Sequence, residues 1–99
     1  MAKRKIIWSN RAKIKRYKIL KYHIDRNKRN TYSKKLNHRI NKELRLLIKY
    51  PDLGIKTDIE GVRGLIIENF ILFYEFTENI IGVHYIWDSR RNPTEIKIK

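Results

Sequence analysis

Ninety-nine residues, 41% of them hydrophobic and 11% aromatic, with only four glycines and two prolines, describe one globular domain (residues 1–99) with a single modest core. The chain has no cysteine, which excludes a disulfide framework and a thiolate metal site. Its net charge of +14 is lopsided: Met1–Tyr50 holds 18 Lys/Arg against 2 Asp/Glu, whereas Pro51–Lys99 holds 6 against 8. Such a field attracts polyanions at long range, and nucleic acid, an anionic membrane surface or an acidic protein all fit it.

The start, "MAKRKIIWSN", is basic, but its apolar run is only Ile6 to Trp8, far shorter than a secretory signal requires. Lys5 to Trp8 reads as a short first strand. Ser9 or Asn10 can then cap a helix, each offering a side-chain oxygen to the free N–H groups of a first turn. From Arg11 to about Arg26 the chain has no Gly or Pro and is too long for one strand. Its apolar positions (Ala12, Ile14, Tyr17, Ile19, Leu20, Tyr22 and Ile24) spread over a wide face between lysines and arginines.

"DRNKRNTYS" interrupts the pattern, and Thr31 or Ser33 can cap a second helix. There Leu36, Ile40, Leu44, Leu47 and Ile48 recur at the spacing of one helical face. "KYPDLG" ends it, because Pro51 cannot continue a helix and Gly54 is free to take a left-handed conformation. The two helices form a hairpin whose apolar faces must pack on something else.

After this the composition changes to Ile, Val, Phe, Tyr and Trp, in "VRGLIIENFILFYEF" and "IIGVHYIW", as suits half-buried pleated surfaces. Glu68-Asn69 and Thr77-Glu78-Asn79 read as turns, giving a three-strand antiparallel meander. The stretch Leu65–Phe76 is interrupted by Glu68, Asn69 and Glu75, so no membrane span fits and a soluble cytoplasmic protein is expected. The first strand must join the meander or stay unpaired. The expected fold is α+β, with a small antiparallel sheet in β-α-α-β-β-β order and a two-helix hairpin on one face.

With these elements in place the sequence resembles the RelE/ParE superfamily of toxins from type II toxin–antitoxin systems. The likeness runs over nearly the whole chain. It is carried by the element order, by Trp8 and Ala12 at the first strand–helix junction, and by "LLIKYPDLG" closing the second helix. Arg63 in "GVRGLI", Tyr74 in "ILFYEF" and the final "IWDSRRNP" complete it.

The resemblance implies one of two targets. RelE-like members cleave mRNA in the ribosomal A site; ParE-like members poison DNA gyrase. Both are held inactive by a cognate antitoxin that wraps the toxin. The first is the leading expectation from the sequence, a ribosome-dependent endoribonuclease, with the gyrase poison as alternative. A small basic RNA-binding protein is a third reading, from another class.

RNA cleavage needs a group to take the 2′-hydroxyl proton, cations to stabilise charge on phosphorus, and a surface to orient the nucleotide. By the resemblance, Arg63 would stabilise charge and Arg90 or Arg91 would bind a phosphate, with Lys56 as proton acceptor or phosphate contact. Tyr74 and Trp87 could stack a base. Lys34 and Lys35, on the basic helices, could grip ribosomal RNA or DNA. Each has a plainer reading. Arg63 can be a paired strand charge, and Arg90 and Arg91 can pair with Asp88 or Glu95. Lys56 needs desolvation before it acts as a base near neutral pH. Tyr74 and Trp87 can be core aromatics, and the helical lysines a solvated face. His84 titrates in the right range for a base but alternates with Val83 and Tyr85 like a strand histidine.

His23 and His38 show no metal spacing, and neither a metal nor another cofactor is expected. Against cleavage stand two departures from the ribonuclease pattern. The chain ends in "NPTEIKIK" where some nucleases carry a His–Tyr pair, and its positive charge lies on the helices instead of the sheet.

Overall fold

The computed structural model describes residues 4–27 and 31–88, without the side chains of residues 23 and 25–27. Strand β1 (Lys5–Trp8) leads into helix α1 (Asn10–Asn27) and helix α2 (Thr31–Lys49). A 3-10 turn (Pro51–Leu53), a two-residue strand β2 (Ile55–Lys56), and the meander β3 (Arg63–Ile67), β4 (Phe70–Phe76) and β5 (Ile80–Asp88) follow.

The sheet has five strands in the order β1-β5-β4-β3-β2. The meander is antiparallel, as expected, but β1 joins β5 in parallel, with Lys5 opposite Ile80 and Trp8 opposite Val83, so the sheet is mixed. A parallel partner needs a long crossover, and the helical hairpin between β1 and β3 supplies it. Strand β2 is too short to have shown a period of its own.

Alternation sorts the sheet into two faces. Leu65, Ile67, Phe70, Leu72, Tyr74, Ile81, Val83 and Ile86 pack under the helices with Ala12, Ile19, Leu36, Ile40, Leu44 and Leu47. A register shift between Phe73 and Tyr74 lets Val83 and Ile86, three residues apart, both face this core. Helix α2 gives the core a full apolar stripe, as its spacing predicts. Helix α1 gives little more than Ala12 and Ile19, while Ile14, Tyr17, Tyr22 and Ile24 stay exposed. The wide scatter of its apolar residues leaves most of them off the buried side.

Ser9 caps α1: its Oγ accepts the Ala12 N–H at 3.0 Å and donates to the His84 carbonyl at 2.8 Å. Ser33 lies inside the first turn of α2 and is buried, so it is not the cap. The β3–β4 turn holds Glu68 at φ 55, an uncommon conformation for a side chain of this size. The Tyr32 hydroxyl donates to the Glu68 carboxylate at 3.3 Å, tying this turn to the start of α2. Gly54 is extended (φ −71, ψ 161), not left-handed as the sequence suggests; close packing is what requires glycine there.

Candidate functional site

Where α2 ends, Pro51 forces a 3-10 turn and the chain doubles back into β2. Antiparallel pairing then sets Lys56 opposite Arg63, and the next strand sets Arg63 opposite Tyr74. Residues directly opposite share a face, so these three line up across one corner of the helix-covered side.

Thr57 shapes the loop between β2 and β3. Its Oγ1 donates to the Val62 carbonyl at 2.9 Å and accepts the Ile59 N–H at 3.3 Å. Gly61, at φ 84, completes the reversal. The loop, Lys56, Arg63 and Phe76 enclose an open hollow of about 390 Å³. One wall carries the cations Lys56 and Arg63, and Glu60 adds a carboxylate. The hollow can receive a small anion or a polar side chain. Arg63 is partly committed to the fold, through two of its five N–H donors: Nη1 donates to the Gly54 carbonyl at 2.8 Å and to the Asp52 carbonyl at 3.3 Å.

Tyr74 is completely buried. Its hydroxyl donates to the Pro51 carbonyl at 2.6 Å and accepts the Gly54 N–H at 2.9 Å. Burial holds this hydroxyl above the ordinary tyrosine value of 10.0, against smaller opposing effects of the Gly54 bond and the Arg63 charge. Tyr74 therefore has no ring face to offer a base, which corrects its assignment as a stacking platform.

Trp87 lies opposite Ile71 on β4, on the outer face of the sheet, whereas Arg63 and Tyr74 belong to the helix-covered face. It is half-buried, and its Nε1 is enclosed without a hydrogen-bond partner among the described residues. Lys34 and Lys35 are exposed on the first turns of α2. The hollow lies beyond the last turn, roughly 20 Å away along the helix at 1.5 Å per residue. Arg90 and Arg91 lie outside the described residues. The sequence-predicted residues thus divide: Lys56 and Arg63 meet, Tyr74 supports them from below, and Trp87 and the two lysines stand elsewhere.

His84 pairs with Glu75 at 3.3 Å on the outer face, both about half exposed. Among the described residues, no group of three or more His, Asp or Glu side chains is placed to hold a metal ion. Also among them, no helix is long and apolar enough to cross a membrane.

The family described as the ParE toxin of the type II toxin–antitoxin system parDE matches residues 6–93. The chain belongs to the ParE toxin family. Solved toxins share its fold. A protein of the chromosomal ParDE system from P. aeruginosa superposes with a TM-score of 0.69 at 17% identity, over 84% of this chain and 92% of that one. YafQ from E. coli strain BL21(DE3) superposes with a TM-score of 0.52 at 18% identity, over 88% and 94%. A chain of the E. coli DinJ–YafQ toxin–antitoxin complex gives 0.55 at 13% identity, over 89% and 94%. No curated protein matches the chain.

In this ParE-family toxin, two groups escaped the sequence reading. Arg16 is turned inward: its guanidinium stands 4.7 Å from the Trp8 ring centroid, with bonds to Asn37 and Asn41. No local signal separates it from its solvated neighbours. Lys42, Arg45 and Lys49 continue the exposed face of α2 begun by Lys35. Their signal was present, since they fall opposite Leu36, Ile40, Leu44 and Leu47 on a helical wheel.

Proposed function

We propose that this ParE-family toxin acts by poisoning DNA gyrase, without cutting RNA itself, and that a cognate antitoxin holds it inactive. Family membership supports this reading, and one observation carries it. Arg63, the side chain on which cleavage would rely for charge stabilisation, has one guanidinium nitrogen, Nη1, tied to two backbone carbonyls of the preceding turn. Those two bonds brace the turn, and the buried Tyr74 beside Arg63 cannot orient a nucleotide. The structural relatives come from toxin–antitoxin pairs, named ParDE and DinJ–YafQ, which supports an antitoxin partner here. The sheet's outer face exposes Ile7, Ile55, Ile66 and Ile80, apolar surface suited to covering by a peptide segment.

Ribosome-dependent mRNA cleavage stays as a second reading on one observation, the hollow between Lys56 and Arg63. There Lys56, exposed and so without the desolvation a lysine base needs, would serve as a phosphate contact beside Arg63. Two measurements separate the readings. Purified toxin added to gyrase and relaxed plasmid is expected to block supercoiling and accumulate cleaved DNA. Transcript ends mapped after induction are expected to be unchanged. Codon-positioned cuts with active gyrase would reverse the assignment.

A further inference from the structure

The outer face of α2 is cationic along its whole length. Lys35, Lys42 and Lys49 recur at intervals of seven residues, which aligns them along the helix on the side away from the core. At 1.5 Å per residue the row spans roughly 21 Å. Lys34 and Arg45 flank it, and all five side chains are exposed.

An ordinary solvated helix face mixes both signs of charge. This one does not. Glu43 is the helix's single acid, and it is half-buried and bonded to Arg39 at 3.1 Å. Among the described residues no carboxylate pairs with Lys35, Lys42 or Lys49. The half of the chain that follows is slightly acidic, so the field has one pole, on the helical layer. Like charges set in a row about a Debye length apart repel weakly at physiological salt, and nothing in the fold offsets that.

We infer that the Lys35–Lys42–Lys49 row of α2 docks on the phosphate backbone of duplex DNA. Duplex DNA carries one charge per roughly 1.7 Å of axis with both strands counted, so about a dozen phosphates lie along the length of the row, of which it faces those on one side. Charge complementarity selects a polyanion, and the rest of the face selects the duplex. Single strands are held largely by stacking bases on exposed aromatic rings. Between Lys34 and Lys49 the outer face of α2 carries no Phe, Tyr or Trp, and its one ring is the small imidazole of His38. The contact is sequence-independent, because lysines on phosphates position a protein without reading bases. The inference deepens the gyrase reading: the toxin would grip the DNA segment that gyrase holds, in addition to the enzyme.

Anisotropy of a labelled 25-base-pair duplex of arbitrary sequence, titrated with the full chain at several salt concentrations, tests this without gyrase. The triple variant Lys35→Gln, Lys42→Gln, Lys49→Gln is expected to weaken binding at least tenfold in low salt. The slope of log affinity against log salt should fall by about 0.9 per lysine removed. A second triple variant, Lys13→Gln, Lys18→Gln, Lys21→Gln on α1, is expected to lose clearly less. Thermal melts check that both remain folded. Equal losses from the two variants would mean diffuse attraction and overturn the docking row. So would tighter binding to single-stranded RNA of equal length than to the duplex. If the toxin blocks gyrase but the α2 variant binds DNA like the parent, the row fails and the gyrase reading stands. If the row binds DNA while gyrase is untouched, the gyrase reading fails and the DNA contact stands.

Discussion

The hydroxyl of Tyr74 occupies the space that a side chain on Gly54 would need. A Cβ built on residue 54 would stand 2.7 Å from Oη and 2.8 Å from Cε1 of Tyr74, and 3.0 Å from the Gly64 carbonyl oxygen. Tyr74 is buried and held at both sides of its hydroxyl, so it cannot swing away cheaply. Gly54→Ala is therefore expected to destabilise the domain by about 1–3 kcal/mol, the usual cost of overpacking. Denaturant titration would show a lower midpoint with an unchanged slope. A midpoint equal to the parent's would mean that the turn gives way freely.

Removing the hydroxyl tests the same contact from the other side. Tyr74→Phe leaves the Gly54 N–H and the Pro51 carbonyl without their partner, at a cost of about 1–3 kcal/mol. The effect depends on pH in a definite direction. Burial raises the folded-state pKa of Tyr74 above its ordinary 10.0, so the folded protein holds this proton where the unfolded chain releases it. That stability is fully present below pH 10 and is lost as pH climbs from 10 through the folded value. The stability gap between parent and Tyr74→Phe should shrink above pH 10, in melts run from pH 8 to pH 11. A gap that widens would contradict the burial argument.

This pair also shows what a sequence can and cannot disclose. "KYPDLG" and "ILFYEF" announced a helix stop and a strand, because Pro, Gly and aromatic runs act locally. That Gly54 serves Tyr74, twenty residues on, is a fact of packing with no local trace. Strands β1, β3, β4 and β5, both helices and the two tight turns were legible for the same local reason, whereas the two-residue β2 was not. The parallel attachment of β1 was not, since four residues fix no pairing partner. Arg63 illustrates the limit at the site. Its position beside Tyr74 followed from the fold, but its commitment to two carbonyls depends on the path of the Pro51 turn.

If Arg63 braces that turn, its removal should be felt as lost stability first. Arg63→Ala is expected to lower stability by about 1–3 kcal/mol, the range for hydrogen bonds made by a charged group. Growth arrest on induction should weaken with the amount of folded toxin and recover at lower temperature. A stable, abundant Arg63→Ala protein that is wholly harmless would point instead to a direct part in the toxic chemistry.

Ser9 joins three elements through one side chain and its own N–H. The hydroxyl caps α1 and donates to His84 on β5, while the N–H donates to the Val83 carbonyl at 2.9 Å. Ser9→Ala removes the first two bonds and keeps the third. A loss of about 1–2 kcal/mol is expected, the upper range for a helix cap. Ser9→Asp, which can still cap but cannot donate to His84, should recover only part of it. Equilibrium unfolding of the three proteins ranks them, and equal stability of Ser9→Ala and the parent would refute the cap.

Arg16 separates cations that build this molecule from those left free to bind. Its guanidinium lies 4.7 Å from the Trp8 centroid, with Nε 3.1 Å from Asn37 Oδ1 and Nη2 3.1 Å from Asn41 Oδ1. Desolvation lowers its pKa, although arginine keeps its proton at any ordinary pH. Lysine preserves the charge but cannot bridge two amides while keeping its cation over the indole. Arg16→Lys is accordingly expected to cost about 1–2 kcal/mol, from one or two lost bonds and part of the stacking. Lys18→Gln, two residues on and exposed, should fall within about 0.5 kcal/mol of the parent although it removes a whole charge. Thermal melts of the two variants decide it. If Arg16→Lys melts with the parent, the site uses charge alone, and Arg16 rejoins the pool available for polyanion contact.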